Sequence, residues 1–592
     1  MKHLVALAVL ILLAASLTTG CGEPGDSLEA AGSLQFSADE TRDSAEAIEL
    51  LVGQTHLGLV EGREAMLVFL RGISTNQRDK PYAVEFVRTL DAEMYSDINV
   101  PSANSHLIMR AEIVDEDGTV LWTENVNSIF QSLEFLKLIL EQTGSIRFTI
   151  HQIYNLVKAD YPELLEFAVR IPMAIEGGVH YVLHIPTDAG NLVEIGRFDI
   201  ATMKAAAKPV RFEGTVTALV DNGPSVDKID VVILSDGYTE AQREKFELDA
   251  QATAKRLLET TPLYEHRDLF NIWAIWTPSK DTGASYDCRP GQTGCEQRFR
   301  DTAYETVFVI PAVGDKFNID VSSISDRVAF PVQIGKAFET AALVPYDEVI
   351  VLSNSQKRAG FAGLYVALVT SWDRGEFPDV AVHEFGHTFG ILGDEYQAEG
   401  DACYFAEPKI PLPSNIATAP TATSAIKWAA WLVTDTPIPT PTNLRSQYRI
   451  GAYKGAYNCD FLYRPAYDCK MNSSHQEFCA VCAEQMVRRI YSVVDVTRHE
   501  EAASVERLGA DRLRFRVPLR EQTRRYSINW MIGDEVISNN PTLDLSTRPI
   551  LAHGKAGDWV ELVGLVEETT GFVRVEDPRT RERFSWWVRV AP

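Results

Sequence analysis

The sequence predicts a multidomain α+β protein, and three observations carry that expectation. A length of 592 residues with 45% apolar content is enough for three or four domains, each burying its own core. Residues 209–495 alternate apolar strands with amphipathic helices in the α/β manner. Residues 49–208 and 496–592 instead carry short alternating strands separated by turn signals.

The chain opens with a short basic stretch, Met1-Lys2-His3, and an apolar run from Leu4 to Leu17. That run is too short and wrongly flanked for a membrane span. It ends Leu17-Thr18-Thr19-Gly20-Cys21, which resembles a bacterial lipoprotein signal with Cys21 lipidated as the mature N-terminus. Thr18 stands where Leu is usual in such signals, and ordinary cleavage to a secreted protein is the alternative. Both routes export the chain. Gly22, by the same resemblance, favours the outer membrane over retention elsewhere. Residues 22–48 are acidic and nearly free of large apolar groups, as in a flexible tether. No later segment approaches 18 apolar residues, so membrane contact is expected only through a lipid on Cys21.

Residues 49–208 read as a β-rich accessory domain. His106 to Val114 and Gly118 to Trp122 flank the turn signal Asp115-Glu116-Asp117-Gly118. Tyr181 to Ile185 and Leu192 to Phe198 form a second hairpin, and Ile129 to Tyr161 has helical periodicity. A bare turn, rather than a calcium loop, is the expectation for the acidic tetrapeptide.

In the central region, Ile229 to Leu234, Phe270 to Trp276, Thr306 to Ile310 and Glu348 to Leu352 are strand candidates. Glu240 to Thr260 and Asp326 to Ala342 read as helices. Gly360 and Gly363 fit either an open sheet edge or a plain loop. The Pro- and Thr-rich interval 401–455 is expected to be a long surface loop around a cleft.

The most informative stretch is His383-Glu384-Phe385-Gly386-His387-Thr388-Phe389-Gly390, an HExxHxxG pattern. Its core is expected by chance only about 0.02 times in a chain of this size. On a helix the two histidines share one face about 6 Å apart along the axis, so both imidazoles can reach one zinc ion. Glu384 can then take a proton from a zinc-bound water. Pro378-Asp379 supplies a helix start, with Asp379 as the N-cap. Val380, Phe385, Phe389 and Leu392 give the helix apolar positions to bury. A catalytic zinc site wants a third protein ligand. Gly390 can adopt a left-handed conformation, end the helix and bring back Asp394 or Glu395. Asp394 is the preferred ligand.

HExxHxxG followed by a carboxylate resembles the metzincin group of zinc peptidases. That group usually places its third ligand six residues after the second His, where this chain has Gly393. Met471, in Cys469-Lys470-Met471-Asn472, is the counterpart of its methionine turn. Ser473 stands where many of its members have a Tyr. A closer resemblance is to the bacterial metallopeptidases named after the IgA-specific metalloendopeptidase. It rests on Ile233 to Thr239, Lys245-Phe246 with Asp249, Phe270 to Trp273, His383 to Tyr396, Tyr463-Arg464-Pro465, and Cys469 to Met471 leading to Phe478 through Cys482. The resemblance implies zinc held by His383, His387 and Asp394, with Glu384 as general base. The metzincin resemblance also implies an edge strand near Glu348 to Leu352 that pairs with extended substrate, an edge that Gly360 and Gly363 fit. Tyr396 and His475 are expected to serve packing and surface, respectively.

Residues 496–592 look all-β, with candidate strands Asp511 to Val517, Tyr526 to Ile532, Asp558 to Glu567 and Phe584 to Val590. Trp530 is placed like the central Trp of an immunoglobulin-like sandwich. Beyond Cys21 there are seven cysteines: Cys288, Cys295, Cys403, Cys459, Cys469, Cys479 and Cys482. Export allows up to three disulfides, with Cys288–Cys295 the preferred pair. Cys479-x-x-Cys482 beside Cys469 also fits a structural zinc knot, but an oxidising compartment favours disulfide.

A net charge of −26 argues against nucleic acid and anionic lipid surfaces as partners. The expectation is therefore an exported zinc endopeptidase acting on protein or peptide substrates. The alternatives are a surface binding lipoprotein with a structural metal, and a zinc amidase acting on cell-wall peptide. Glu384 separates the first from the second, because a structural site needs no base.

Overall fold

The computed structural model describes residues 50–55, 65–72, 82–90, 109–126, 167–172, 175, 177–186, 192–205, 212–288, 298–308, 329–363, 366–372, 375–397, 412–418, 426–498, 503–509, 511–520 and 524–590. The leader with Cys21, the tether, the helix expected over Ile129 to Tyr161, and Cys295 and Cys403 lie outside these residues. The architecture is mixed α+β, with many sheets and few helices. It divides into two compact units. One lies within Glu61–Val493, and the other combines residues from Gly22–Val60 with Val494–Pro592.

In the first unit, the N-terminal part holds two antiparallel sheets. One has the order Val120–Val126, Met109–Val114, His180–Pro186, Leu192–Asp199. The Asp115 carboxylate accepts hydrogen bonds from the backbone N–H groups of Asp117 and Thr119, and Gly118 has φ +83°. These bonds close the turn through the chain's own amides, as in an Asx-type turn. The second sheet joins Tyr82–Leu90, Ala65–Gly72 and Phe167–Pro172.

The central sheet has six strands in the order Gly360–Gly363, Val366–Thr370, Glu348–Ser353, Ile229–Asp236, Phe270–Trp276, Thr215–Val220. The inner four are parallel, and the two outer strands run antiparallel to their neighbours. Ile229–Asp236 is buried at every position, as expected of a central strand covered on both faces. Helix Arg243–Glu259 links Ile229–Asp236 to Phe270–Trp276 as a crossover and packs against helix Phe377–Thr388. Helix Phe377–Thr388 in turn lies over Val366–Thr370 and Gly360–Gly363.

Two local expectations need correction. Asp326 to Ala342 is not one helix. Ala329–Pro331 pairs antiparallel with Thr306–Phe308, and among the described residues of that span the helix is Ile334–Ala341. Pro331 explains the break, because it lacks an N–H and disfavours helix in the residue before it. Within 401–455, the described residues are not simply a surface loop. Ala417–Thr418, Tyr453–Ala456 and Cys459–Arg464 form a small sheet over Ile416, Tyr457 and Leu462. The Trp428 indole donates to the Gly451 carbonyl, and Thr440 Oγ1 accepts from Ala452 N–H, which pins the Pro-rich stretch down. Of the two readings open for Gly360 and Gly363, the structure has the sheet edge: Gly360–Gly363 is an outer strand, two places from the interior strand Glu348–Ser353.

The second unit stacks a five-stranded antiparallel sheet, Leu50–Thr55, Arg581–Val590, Val560–Glu568, Tyr526–Ile532, Glu535–Ser538, on a three-stranded one, Ser504–Gly509, Arg512–Arg516, Thr542–Ser546. Leu50–Thr55, which the sequence groups with the N-terminal region, pairs along its whole length with Arg581–Val590. Tyr526–Ile532 alternates buried and half-buried residues, the period of a one-sided strand. Its Trp530 is fully buried, 5.6 Å from Trp586, and Phe515 of the smaller sheet lies 5.3 Å from Trp586. The Trp530 indole donates to the Asn540 carbonyl, so this aromatic core leaves that donor satisfied. Trp530→Ala should cost ~3–5 kcal/mol, read as a lower urea midpoint by circular dichroism; an unchanged midpoint would contradict this account of the core.

Candidate metal centre

The motif helix spans Phe377–Thr388. Its start differs from the expected cap: Glu376 precedes the helix, Pro378 lies in the first turn, and Asp379 is already helical. Asp379 instead accepts a hydrogen bond from Arg256 Nε at 2.7 Å and pairs with the buried Lys470 at 3.3 Å. An acidic residue in the first turn also suits the positive end of the helix dipole. Val380, Phe385, Phe389 and Leu392 are all buried. Gly386 is where the helix meets the 469–472 turn, because a Cβ there would lie 2.8 Å from Met471 Sδ.

The turn after the helix is made differently from the sequence expectation. The left-handed residue is Ile391, with φ 51°, rather than Gly390. Gly390 is required by crowding: a Cβ would sit 2.4 Å from Met486 Sδ and 2.6 Å from the Gly386 carbonyl. Arg489 Nε donates to the Phe389 carbonyl at 2.9 Å, satisfying one carbonyl at the helix end. The chain then doubles back, and Asp394 reaches the histidines.

His383 Nε2 and His387 Nε2 face each other at 3.2 Å, and Asp394 Oδ1 lies 3.2 and 3.1 Å from them. Each ring is oriented from behind. His383 Nδ1 bonds the Lys470 carbonyl at 2.8 Å, and His387 Nδ1 bonds the Leu392 carbonyl at 2.7 Å. A carbonyl only accepts, so Nδ1 carries the proton and a neutral ring turns its Nε2 lone pair inward. Two lone pairs and a carboxylate oxygen that takes no well-formed hydrogen bond thus converge on one point. Such a cluster is repulsive until a cation or a proton occupies it. This donor set, with both imidazoles held by carbonyls, is chemically suited to a metal ion.

The charges follow the same logic. Burial opposes ionisation of Asp394, but His387 and His383 together hold its carboxyl well below the usual range. Burial also opposes charge on His387, yet Asp394 raises it above its ordinary value. Glu384 points toward the edge strand, and a Cβ on Gly360 would lie 2.2 Å from its Oε1. Burial, reinforced by Asp394, pushes the Glu384 carboxyl up to about 8. A carboxyl with that value can exchange a proton near neutral pH.

The other sequence candidates fall elsewhere. Glu395 is fully buried away from the histidines, 3.1 Å from Cys482 Sγ, and burial raises its carboxyl well above the ordinary value. Met471 is fully buried under the helix. His475 is half exposed, 3.9 Å from Asp379, as a surface residue should be. Tyr396 is half-buried, and its carbonyl accepts from Asn458 N–H. The Lys470 and Leu392 carbonyls were not anticipated, since a backbone acceptor has no signature in the sequence.

A helix presenting HExxH, with a carboxylate returned to the same point and a glutamate beside it, defines the metallopeptidase class. Residues 217–449 match the family described as IgA Peptidase M64, and the chain is a metallopeptidase hydrolase, with a metal cofactor implied. No curated protein matches the chain.

The raised Glu384 value has a consequence for stability. A carboxyl lifted from 4.5 to about 8 binds its proton more tightly in the folded state. Its contribution is full below the unfolded value and is lost as pH rises toward the folded one. After chelation, stability should therefore fall between pH 4.5 and about 8 more steeply in the parent chain than in Glu384→Gln. Denaturant titrations at a series of pH values check this, and parallel profiles would contradict it.

Proposed function

We propose that the chain is an exported zinc-dependent endopeptidase, with His383, His387 and Asp394 as ligands and Glu384 as the general base. The observation that carries this reading is the triangle of Nε2, Nε2 and Oδ1 atoms at 3.1–3.2 Å, with the Glu384 carboxyl beside it. Three protein donors leave a fourth position open, which is the arrangement of a catalytic rather than a structural zinc.

Zinc bound there supplies a Lewis acid that acidifies water and polarises a carbonyl. The remaining steps belong to the chain. Glu384 takes a proton from the attacking water and passes it to the leaving amine as the C–N bond breaks. The Lys470 and Leu392 carbonyls hold both rings in the ligating tautomer. Gly360–Gly363 is a sheet edge beside Glu384, and an extended peptide can add to it as a further strand. The lack of a side chain at Gly360 keeps that approach open.

Met471 beneath the motif helix supports a metzincin-like reading of the central domain. The stacked sheets around Trp530 and Trp586 support an immunoglobulin-like reading of the C-terminal one. Export, with Cys21 as a lipid anchor at the cell surface or outer membrane, rests on the leader sequence alone. The family description names one substrate, and the substrate proposed here is peptide in general.

Purified chain and Glu384→Gln, assayed on unfolded protein substrates with metal content measured in parallel, test the mechanism. The variant should keep its zinc and lose ~10²–10⁴-fold in cleavage rate. Equal cleavage by both would sink the general-base role. Gly360→Ala should also keep its metal but lose about 10²-fold in kcat/KM, because the new methyl displaces the Glu384 carboxyl. Unchanged kinetics in that variant would show that the edge does not crowd the base.

A further inference from the structure

A second cluster of metal-binding atoms lies apart from the histidine triangle. Cys469, Cys479 and Cys482 are all free and buried, and they converge with Glu395. One ligand atom from each of the four lies within 4.8 Å of the others. This overturns the expectation that an oxidising compartment would pair Cys479 or Cys482 in a disulfide. Cys288 and Cys459 are each in a disulfide, and the expected Cys295 partner of Cys288 lies outside the described residues.

The spacing has a definite chemistry. Cys469 Sγ and Cys482 Sγ are 3.7 Å apart. That is far beyond the ~2.05 Å of a disulfide. It matches the edge of a tetrahedron with Zn–S bonds of about 2.3 Å, which is about 3.8 Å. Cys482 Sγ lies 3.1 Å from Glu395 Oε1. Glu395 Oε2 is buried with no hydrogen-bond partner, and Glu395 itself is fully buried. A buried carboxyl oxygen left without a donor is costly unless a cation compensates it.

The surroundings resemble a metal–thiolate site rather than an accident of packing. The Cys479 backbone N–H points at Cys469 Sγ at 3.4 Å, an N–H···S contact that suits a thiolate. Asn415 Nδ2 donates to Glu395 Oε1 at 2.9 Å and orients that carboxyl. Arg464 donates to the Glu395 carbonyl and to the Gly455 carbonyl, bringing a positive charge beside the cluster. Cys479 immediately precedes helix Ala480–Val493 and Cys482 lies in its first turn, where the helix dipole favours anionic sulfur.

We propose that Glu395, Cys469, Cys479 and Cys482 form a closed structural zinc site that clamps the loops building the catalytic one. Thiolate-rich tetrahedral donors select zinc among common divalent ions, and four protein ligands leave no place for a reacting water. The clamp acts through three short links. Glu395 follows Asp394 in sequence, and its N–H donates to the Met471 carbonyl at 2.8 Å. Cys469 precedes Lys470, whose carbonyl orients His383. One ion therefore ties the loop that returns Asp394 to the turn that orients His383.

Metal stoichiometry and cobalt spectroscopy on the full chain test this independently of the catalytic reading. Purified chain should hold two zinc ions. His383→Ala/His387→Ala should retain one, and its cobalt-loaded form should show a thiolate-to-cobalt charge-transfer band in the near ultraviolet. Cys469→Ser should lose that band, and the histidine variant supplies the readout even if the serine variant does not fold. Free thiols counted under denaturing conditions should rise by three on chelation. A histidine variant without metal, a cobalt form without the thiolate band, or a native peptide map with any of the three cysteines in a disulfide would overturn the proposal. Loss of the catalytic reading would instead appear as cleavage by Glu384→Gln with this site intact.

Discussion

The site depends on one constraint: two imidazoles on a single helix turn must direct lone pairs at a point that a carboxylate also reaches. Everything that makes this possible is provided by backbone carbonyls and tight packing. The Lys470 and Leu392 carbonyls each claim an Nδ1 proton and thereby free an Nε2. The carboxylate arrives only because the chain reverses after Gly390, with Ile391 in a left-handed conformation that a β-branched residue rarely adopts. Such backbone strain persists where the surroundings over-determine it. Here they include the crowding of Gly390 by Met486 and the Arg489 bond to the Phe389 carbonyl.

The central sheet serves this constraint from the other side. Its parallel strands bury a rigid layer beneath the motif helix, and its outer strand Gly360–Gly363 lies beside Glu384. Glu384 is thus confined between the helix it belongs to and a strand that has no side chain at the contact. Burial, with the nearby Asp394 charge adding to it, is what raises its proton affinity. The same confinement puts Glu384 next to the outer strand Gly360–Gly363.

Much of this was legible in the sequence because periodic and polar signals are local. HExxH puts both histidines on one helix face with Glu384 next to the first of them, and the apolar runs locate the buried strands Ile229–Asp236, Phe270–Trp276 and Glu348–Ser353. The sequence leaves Asp394 and Glu395 both open with Asp394 preferred, and Asp394 Oδ1 lies 3.2 and 3.1 Å from the two rings. The failures have physical causes. Pro331 broke a helix that periodicity alone had carried through. Gly390 was read as a conformational hinge, whereas its role is steric and Ile391 bends the chain. Cys479 and Cys482 suggested disulfides because compartment outweighed spacing. Only the tertiary fold brings Glu395 and Cys469 to them, from segments far apart in the chain.

Anomalous diffraction at the zinc edge, on crystals of the zinc-loaded chain, tests the central claim most directly. The account predicts a peak at coordination distance from His383 Nε2, His387 Nε2 and Asp394 Oδ1 together, with the Glu384 carboxyl beside it but not ligating. A catalytic ion bound by the two histidines with Asp394 turned away, or no ion at the histidines at all, would contradict it.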